Sequence, residues 1–374
     1  MSAAMSTEVW FAPGRANLMG EHTDYNEGFV LPFALAQGVT ATATARDDGL
    51  LVLRSKQRPT EPVTLSVHSL APGSVAGWAA YPAGVAWALR ASGFDIAGAS
   101  IDIDSDLPVG AGVSSSAALE CSVALALCSL SGLSVPREKL AAIAKRAENE
   151  FVGAPTGIID QSAALLCRAD HAMLLDCRTL ATTQVPFQPS AAGAAALIVD
   201  TRVTHALVNG EYAARRAECE EAARLLGVQA LGLITDPGAV ETLADPVLRR
   251  RARHVITDSA RARQIASALQ RQTPDETDTY GLIGNLLTEG HRSLRDDFEV
   301  SWPQADAAVE AAIGAGAYGA KMIGGGFGGS VLALIPRERE ATVRSTIQKT
   351  LKDRSWAAPE FLDAVPSPAA RRRA

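Results

Sequence analysis

Residues 20–28 read GEHTDYNEG, and they gather more chemistry than a turn requires. A tight turn uses Gly, Asn or Asp for their backbone freedom, but it has no need of Glu21, His22 and Tyr25 as well. The hydroxyls of a small polyol each donate and accept hydrogen bonds. Carboxylates and an imidazole answer both functions, and a charged acceptor strengthens the bond. Taken singly, His22 reads as a satisfied structural histidine and Asp24 as a turn former. Their concentration with Glu21 in one loop is what points to a polar ligand.

Two glycine-rich stretches bear on phosphate. GAGVSSSA (110–117) follows a strand pattern and opens a helix. Glycines admit close backbone approach, and a helix start offers free N–H groups at the positive end of its dipole. Ser114, Ser115 and Ser116 can cap that helix with nothing bound, or reach a phosphate or its metal as well. No GK[ST] is present, so a nucleotide here would be held without a P-loop lysine. GGGFGG (324–329) formally contains GxGxxG. The dinucleotide fingerprint needs a helix after it, whereas SVLALI reads as a strand. A tight connection within a hairpin is expected, and a dinucleotide fold is rejected.

The elements that must position these residues are partly legible. VTATATA from Val39 alternates with period two, LLVLRS and VTLSVHS follow as strands, and ASIDIDSD puts Ile101 and Ile103 on one face. Helices are expected over about 75–91, over 114–130 with small or apolar residues on nearly all sides, and over the stripe Leu140, Ile143, Ala144, Ala147 and Phe151. Glu148 lies at the edge of that stripe, where an exposed helix carboxylate is the default. TLATTQVPFQPSAAGA (179–194) shows no periodicity and is the expected domain boundary. Beyond it come a strand (AALIVDT), amphipathic helices between 211 and 315, the second glycine stretch and a final helix near 338–352. Strands and helices mix without strict alternation, which predicts two α+β domains, 1–185 and 186–374.

Composition excludes other classes. At 47% apolar and 20% charged, the 374 residues supply an ordinary globular core. A net charge of −6 with both signs scattered leaves no basic stripe for nucleic acid. The RRR at 371–373 reads as a solvated, frayed end. No secretory signal and no membrane-spanning run is visible. Five cysteines without a CxxC pair read as reduced thiols of a cytoplasmic protein, and six dispersed histidines offer no zinc cluster.

Three stretches, GRANLMGEHTDYNEG, LPVGAGVSSSAALE and GAKMIGGGFGGSVLAL, resemble in order and spacing the signatures of the galactokinase branch of the GHMP small-molecule kinases. AENEFVGAPTGIIDQ and SLRDDFEVSWPQAD are similar to further segments of that branch, so the likeness covers nearly the whole chain. The first signature is specific to galactokinases, and the two glycine motifs are shared across the GHMP group. The resemblance implies a two-domain GHMP-kinase fold with its active site in the inter-domain cleft, and transfer of the ATP γ-phosphoryl group to the anomeric hydroxyl of galactose. By motif it implies Arg15 and Asp160 as the catalytic pair, and Glu21, His22, Thr23, Asp24, Gly157 and Tyr212 at the sugar. It further implies Gly110, Ala111, Gly112, Val113, Ser114, Ser115 and Ser116 at the triphosphate, Ser116 and Glu148 at Mg²⁺, and Trp78 against adenine. Where the family often has CGIMD this chain has TGIID (156–160), so the Asp is kept and an apolar neighbour is exchanged.

Phosphoryl transfer asks the protein for in-line positioning and charge stabilisation more than for covalent work. Asp160 would take the proton of the anomeric hydroxyl, or act chiefly through orientation and charge, with Arg15 stabilising charge on the transferring group. A complete SSSAA favours an enzyme over a sensor that binds galactose and ATP without turnover. N-acetylgalactosamine stays open as the sugar, and mevalonate and homoserine are acceptors for other members of the group. A cytoplasmic monomer with small-molecule partners only is expected.

Overall fold

The computed structural model describes residues 7–108, 110–204, 208–271 and 276–373. Strands β1 (Thr7–Asn17), β2 (Phe29–Val30), β3 (Pro32–Arg46), β4 (Leu50–Ser55) and β5 (Val63–Ser66) lead to α1 (Ala80–Ala91) and β6 (Gly98–Ser105). Next come α2 (Ser115–Leu130), α3 (Arg137–Arg146), a π-helical turn (Ala147–Val152) and α4 (Ile159–Leu166). Three strands follow, β7 (His171–Asp176), β8 (Thr182–Pro186) and β9 (Ala194–Val203). Four helices succeed them, α5 (Val208–Leu225), α6 (Pro246–Arg271), α7 (Glu276–Asp296) and α8 (Pro303–Gly314). The chain closes with β10 (Gly319–Ile323), β11 (Gly329–Pro336), α9 (Glu340–Asp353), β12 (Glu360–Asp363) and β13 (Arg371–Arg373).

The alternating half of β3 sits near the middle of a six-stranded sheet ordered β13-β1-β3-β6-β4-β5, in which β4 and β6 alone run parallel. A four-stranded antiparallel sheet is ordered β10-β11-β9-β12, and a small one β2-β7-β8. One apolar core joins the six-stranded sheet to α1–α4. A second joins the four-stranded sheet to α5, α8 and α9. Helix α6 serves both: Leu248, Ala252, Val255 and Ile256 face the second core, and Ala262, Ile265, Ala266 and Leu269 the first. Spacings of three and four keep these residues on one stripe of a long helix. That helix therefore spans the seam where the site lies.

Several expectations need correction. The aperiodic 179–194 stretch contains strand β8, paired with β7, because a five-residue alternation is too short to show among Pro, Ser and Gly. The helix expected from 75 begins at Ala80, after a 3-10 turn at Gly77–Ala79. The terminal arginines are not frayed. They form β13 against Val9–Phe11, with Arg371 and Arg373 guanidinium groups 4.8 and 3.9 Å from the Phe11 ring centre. A charged strand of this kind closes a sheet edge while discouraging further pairing. The GGGFGG segment does join two antiparallel strands, β10 and β11. Among the described residues no helix is long and apolar enough to cross a membrane.

Candidate active site

The register of β1 against β3 shifts between Pro13 and Arg15, beside the loop that precedes α2. A Cβ at Gly14 would lie 2.7 Å from the Val113 carbonyl oxygen, so glycine is what lets the strand close on that loop. Arg15 N–H then donates to Val113 O at 3.1 Å. Its side chain donates from Nε to Asp160 Oδ1 at 2.9 Å and from Nη1 to Gly112 O at 2.6 Å. One guanidinium thus joins the first turn of α4 to the glycine–serine loop. Exposed pairs such as Lys56–Asp104 are worth at most about 1 kcal/mol. Arg15 is buried but Asp160 is part-exposed to the cavity, so stripping one partner costs more than at the surface and less than the roughly 3–5 kcal/mol of a fully buried pair.

Gly110, Gly112 and Ser114 adopt positive φ (81°, 69° and 60°), which turns the loop into the start of α2. Ser114 precedes that helix without making a side-chain cap, and its Oγ is buried with no partner. An unsatisfied hydroxyl at the positive end of a helix dipole suits an anion.

The early acidic loop is held from behind by α6. Gly20 N–H donates to Asp258 Oδ2 at 3.0 Å, His254 Nε2–H to the Glu21 carbonyl at 3.0 Å, and Phe29 N–H to Ser259 Oγ at 2.9 Å. His22 adopts φ 62° and its Nε2–H donates to the Gly325 carbonyl at 3.2 Å, so Nδ1 accepts from the Tyr25 hydroxyl at 2.9 Å. Both ring nitrogens are therefore occupied, and the ring packs on Phe298 and Tyr212 at centroid distances of 4.6 and 5.3 Å. Burial, with His254 nearby, pushes its pKa down to about 3, and the ring is neutral. His22 clasps the loop to the glycine turn, and its side chain also lines the cavity described below.

A pH dependence follows from the clasp. The folded pKa lies below the ordinary value of 6.5, so the unfolded chain takes up the proton first. The contribution of His22 to stability is complete above about pH 6.5 and is lost as pH falls toward 3, at up to about 1.4 kcal/mol per pH unit. Buried carboxyls such as Asp24 and Glu148, whose pKa values burial raises, act with the opposite sign. The measurement is the difference in unfolding free energy between the wild type and His22→Gln across pH 4–7. The wild type should lose its advantage as the pH is lowered, and a constant difference would contradict the neutral clasp.

Asp24 is packed against Gly157, where an added Cβ would lie 1.6 Å from Asp24 Oδ2. Burial first, and then the neighbouring Asp160, raise the Asp24 pKa. Glu21 meets the fully buried Lys321 in an ion pair; burial raises its pKa and the ammonium opposes that rise. Glu148 lies in the π-helical turn and is only 3% exposed, so the expectation of a solvated carboxylate fails. Its Oε2 accepts from Thr156 Oγ1 and Gln161 Nε2, both at 2.8 Å. Burial, then Asp160, raise its pKa, and the nearby Ser116 hydroxyl works with those two donors to lower it.

Arg15, Glu21, His22, Asp24 and Gly157 line one cavity of about 450 Å³, in which Asp160 faces the same space as Asp24 and Ser116. All the expected site residues line it except Thr23, Ala111, Trp78 and Glu148. Thr23 Oγ1 is spent inside its own loop, 2.9 Å from the Gly20 carbonyl and 2.8 Å from that of Phe29. Ala111 is buried, with its carbonyl accepting from Ser330 Oγ at 2.7 Å. Trp78 packs half-buried on the first core, while Tyr81, three residues on, lines the cavity instead. Glu148 stands one layer back, behind Ser116 and Thr156. Sequence reasoning also missed Asn17, Thr156, Gly324 and Gly325, the last two from a motif read only for its turn.

Three family models match: the galactokinase galactose-binding signature over residues 3–45, the GHMP kinases N terminal domain over 80–168 and the GHMP kinases C terminal model over 265–353. The chain is 47% identical to a galactokinase of Streptomyces coelicolor, covering 97% of this chain and 94% of that one. It is 42% identical to a galactokinase of Mycobacterium tuberculosis, covering 97% and 99%. A crystal structure of Lactococcus lactis galactokinase complexed with galactose superimposes with a TM-score of 0.92 at 30% identity, covering 98% and 95%. A mevalonate kinase structure shares the fold at a TM-score of 0.66 and 15% identity, covering 98% and 99%.

Proposed function

The chain belongs to the galactokinases, a branch of the GHMP kinases, and from that premise we propose that its cavity transfers the γ-phosphoryl group of ATP to the anomeric hydroxyl of galactose, yielding galactose 1-phosphate. The observation that carries this reading is the guanidinium of Arg15, bridging Asp160 and the Gly112 carbonyl inside the cavity that the acidic loop also lines. A sugar held at that loop and a triphosphate held at 110–116 would meet at Asp160.

In this mechanism Glu21 and Asp24 accept sugar hydroxyls, and His22 and Tyr212 line the same space beside them. Gly157 leaves room for the Asp24 carboxylate. The amides and hydroxyls of the Gly110–Ser116 loop hold the phosphates. Asp160 orients the anomeric hydroxyl and takes its proton as the new P–O bond forms, while Arg15 steadies the carboxylate and the phosphate loop together. The hydroxyl of Ser116 and the carboxylate of Glu148 fit the small protein share that Mg²⁺ takes. Among the described residues no group of three His, Cys, Asp or Glu offers an all-protein cage. When bound, the ion would neutralise charge on the phosphate oxygens. A division into units 1–185 and 186–374, a monomeric state and a cytoplasmic location complete the proposal.

The test is an ADP-release assay with galactose, glucose, N-acetylgalactosamine and mevalonate as separate acceptors. Turnover with galactose and none with mevalonate is the expected result. Stabilisation by galactose and ATP without any ADP would replace the enzyme reading with that of a sensor.

A further inference from the structure

Lys321 sits in the middle of β10, opposite Leu332 of β11, with its side chain fully buried. A buried ammonium persists only where partners compensate its desolvation. Its partners are Glu21 Oε2 and, at 3.5 Å, the carbonyl of Asn17. Glu21 and Asn17 both line the cavity, and each keeps one buried oxygen without a partner, Glu21 Oε1 and Asn17 Oδ1. Unpaired buried acceptors bordering a cavity are the groups a ligand's donors satisfy. The other charges facing Glu21 are already engaged. Asp258 takes the Gly20 N–H and pairs with Arg261, and Arg15 pairs with Asp160. The same hairpin supplies the Gly325 carbonyl that holds His22, so it fixes two consecutive residues of the sugar loop.

We infer that Lys321 is a positioning residue for the sugar: it occupies one oxygen of Glu21 from behind and leaves the other as a charged acceptor for a sugar hydroxyl. The inference rests on the galactokinase reading and adds to it a residue, 300 positions from the loop, that acts only through Glu21. Without the ammonium, burial would drive Glu21 toward its neutral form, which offers an O–H donor where the site needs an acceptor.

The test compares steady-state kinetics of Lys321→Met, Lys321→Arg, Glu21→Gln and the double variant Lys321→Met/Glu21→Gln. Lys321→Met should raise the KM for galactose about tenfold or more, the scale of a charge-assisted hydrogen bond. The KM for ATP should stay within about twofold, since uniform loss of binding at one substrate leaves the other unmoved. Lys321→Arg should recover most of the galactose affinity. In the Glu21→Gln background the Lys321→Met change should add nothing further to the KM for galactose. That double variant carries no buried charge at the pair, so it remains measurable if Lys321→Met alone does not fold. An unshifted galactose KM in folded Lys321→Met, or additive losses in the double variant, would overturn the role. Wild-type enzyme run alongside separates the two claims: no turnover of galactose by the wild type defeats the galactokinase reading itself.

Discussion

Asp160→Asn is expected to lower kcat by about 10²–10⁴ if the carboxylate serves as a base, and by more if it also holds the acceptor in line. The substitution is nearly isosteric, and the amide oxygen can still receive the Arg15 Nε–H that Asp160 Oδ1 now accepts at 2.9 Å. The phosphate loop keeps its own tie, because Arg15 Nη1 also donates to Gly112 O at 2.6 Å. ATP affinity, read by calorimetry without sugar, should therefore change little while turnover collapses. The folded state should be weakened as well, since Arg15 keeps its charge while its partner loses its own; with the hydrogen bond retained and Asp160 part-exposed, the cost stays below the roughly 3–5 kcal/mol of a broken buried pair. ATP binding by the variant shows that lost turnover is not lost folding. Near-normal turnover would remove Asp160 from the reaction and with it the bridge on which the functional reading stands.

The legibility of the site in the sequence followed the range of the contacts that build it. The glycine–serine loop was readable because strand, glycine, serine and helix follow one another locally. The acidic loop was readable as a cluster, but not the division of labour within it. Thr23 and His22 look like ligands in one dimension. In three dimensions Thr23 is spent on the nearby carbonyls of Gly20 and Phe29, whereas His22 lines the cavity and is tied to Tyr25 and to Gly325, some 300 residues away. Lys321, His254 and Asp258 carry no local signal at all. The lysine interrupts an apolar strand without apparent reason, and the other two are ordinary polar positions of α6 at a spacing of four. Glu148 was misplaced for a related reason. Four residues after Ala144 it continues the buried stripe, but nothing local announces the Thr156 and Gln161 donors that let a carboxylate be buried there. The terminal arginines were misread because a three-residue edge strand is specified by its partner β1, not by its own pattern.

Gly157→Ala should depress kcat/KM for galactose by about 10² or more, the usual cost of displacing a positioned group by an ångström or so. Gly157 is not among the glycines with positive φ, so alanine is acceptable to the backbone and the objection is purely spatial. The added Cβ would stand 1.6 Å from Asp24 Oδ2 and 2.2 Å from its Cγ, and no rotation of a methyl group relieves that overlap. The Asp24 carboxyl must move, yet its Oδ1 accepts the Tyr25 N–H at 3.0 Å and its charge sits near Asp160. Displacement therefore disturbs the sugar contact and the reacting carboxylate together, while the phosphate loop, tied separately by Arg15 Nη1 to Gly112 O, keeps its ATP affinity. Overpacking of this kind costs about 1–3 kcal/mol of stability. Combining Gly157→Ala with Asp24→Gly removes the overlap but not the loss of the carboxylate. Stability should return in the double variant while galactose affinity stays weak. A Gly157→Ala enzyme with unchanged galactose KM would mean that Asp24 can leave its place at no cost to the sugar, and the acidic loop would lose its claim to be the sugar site.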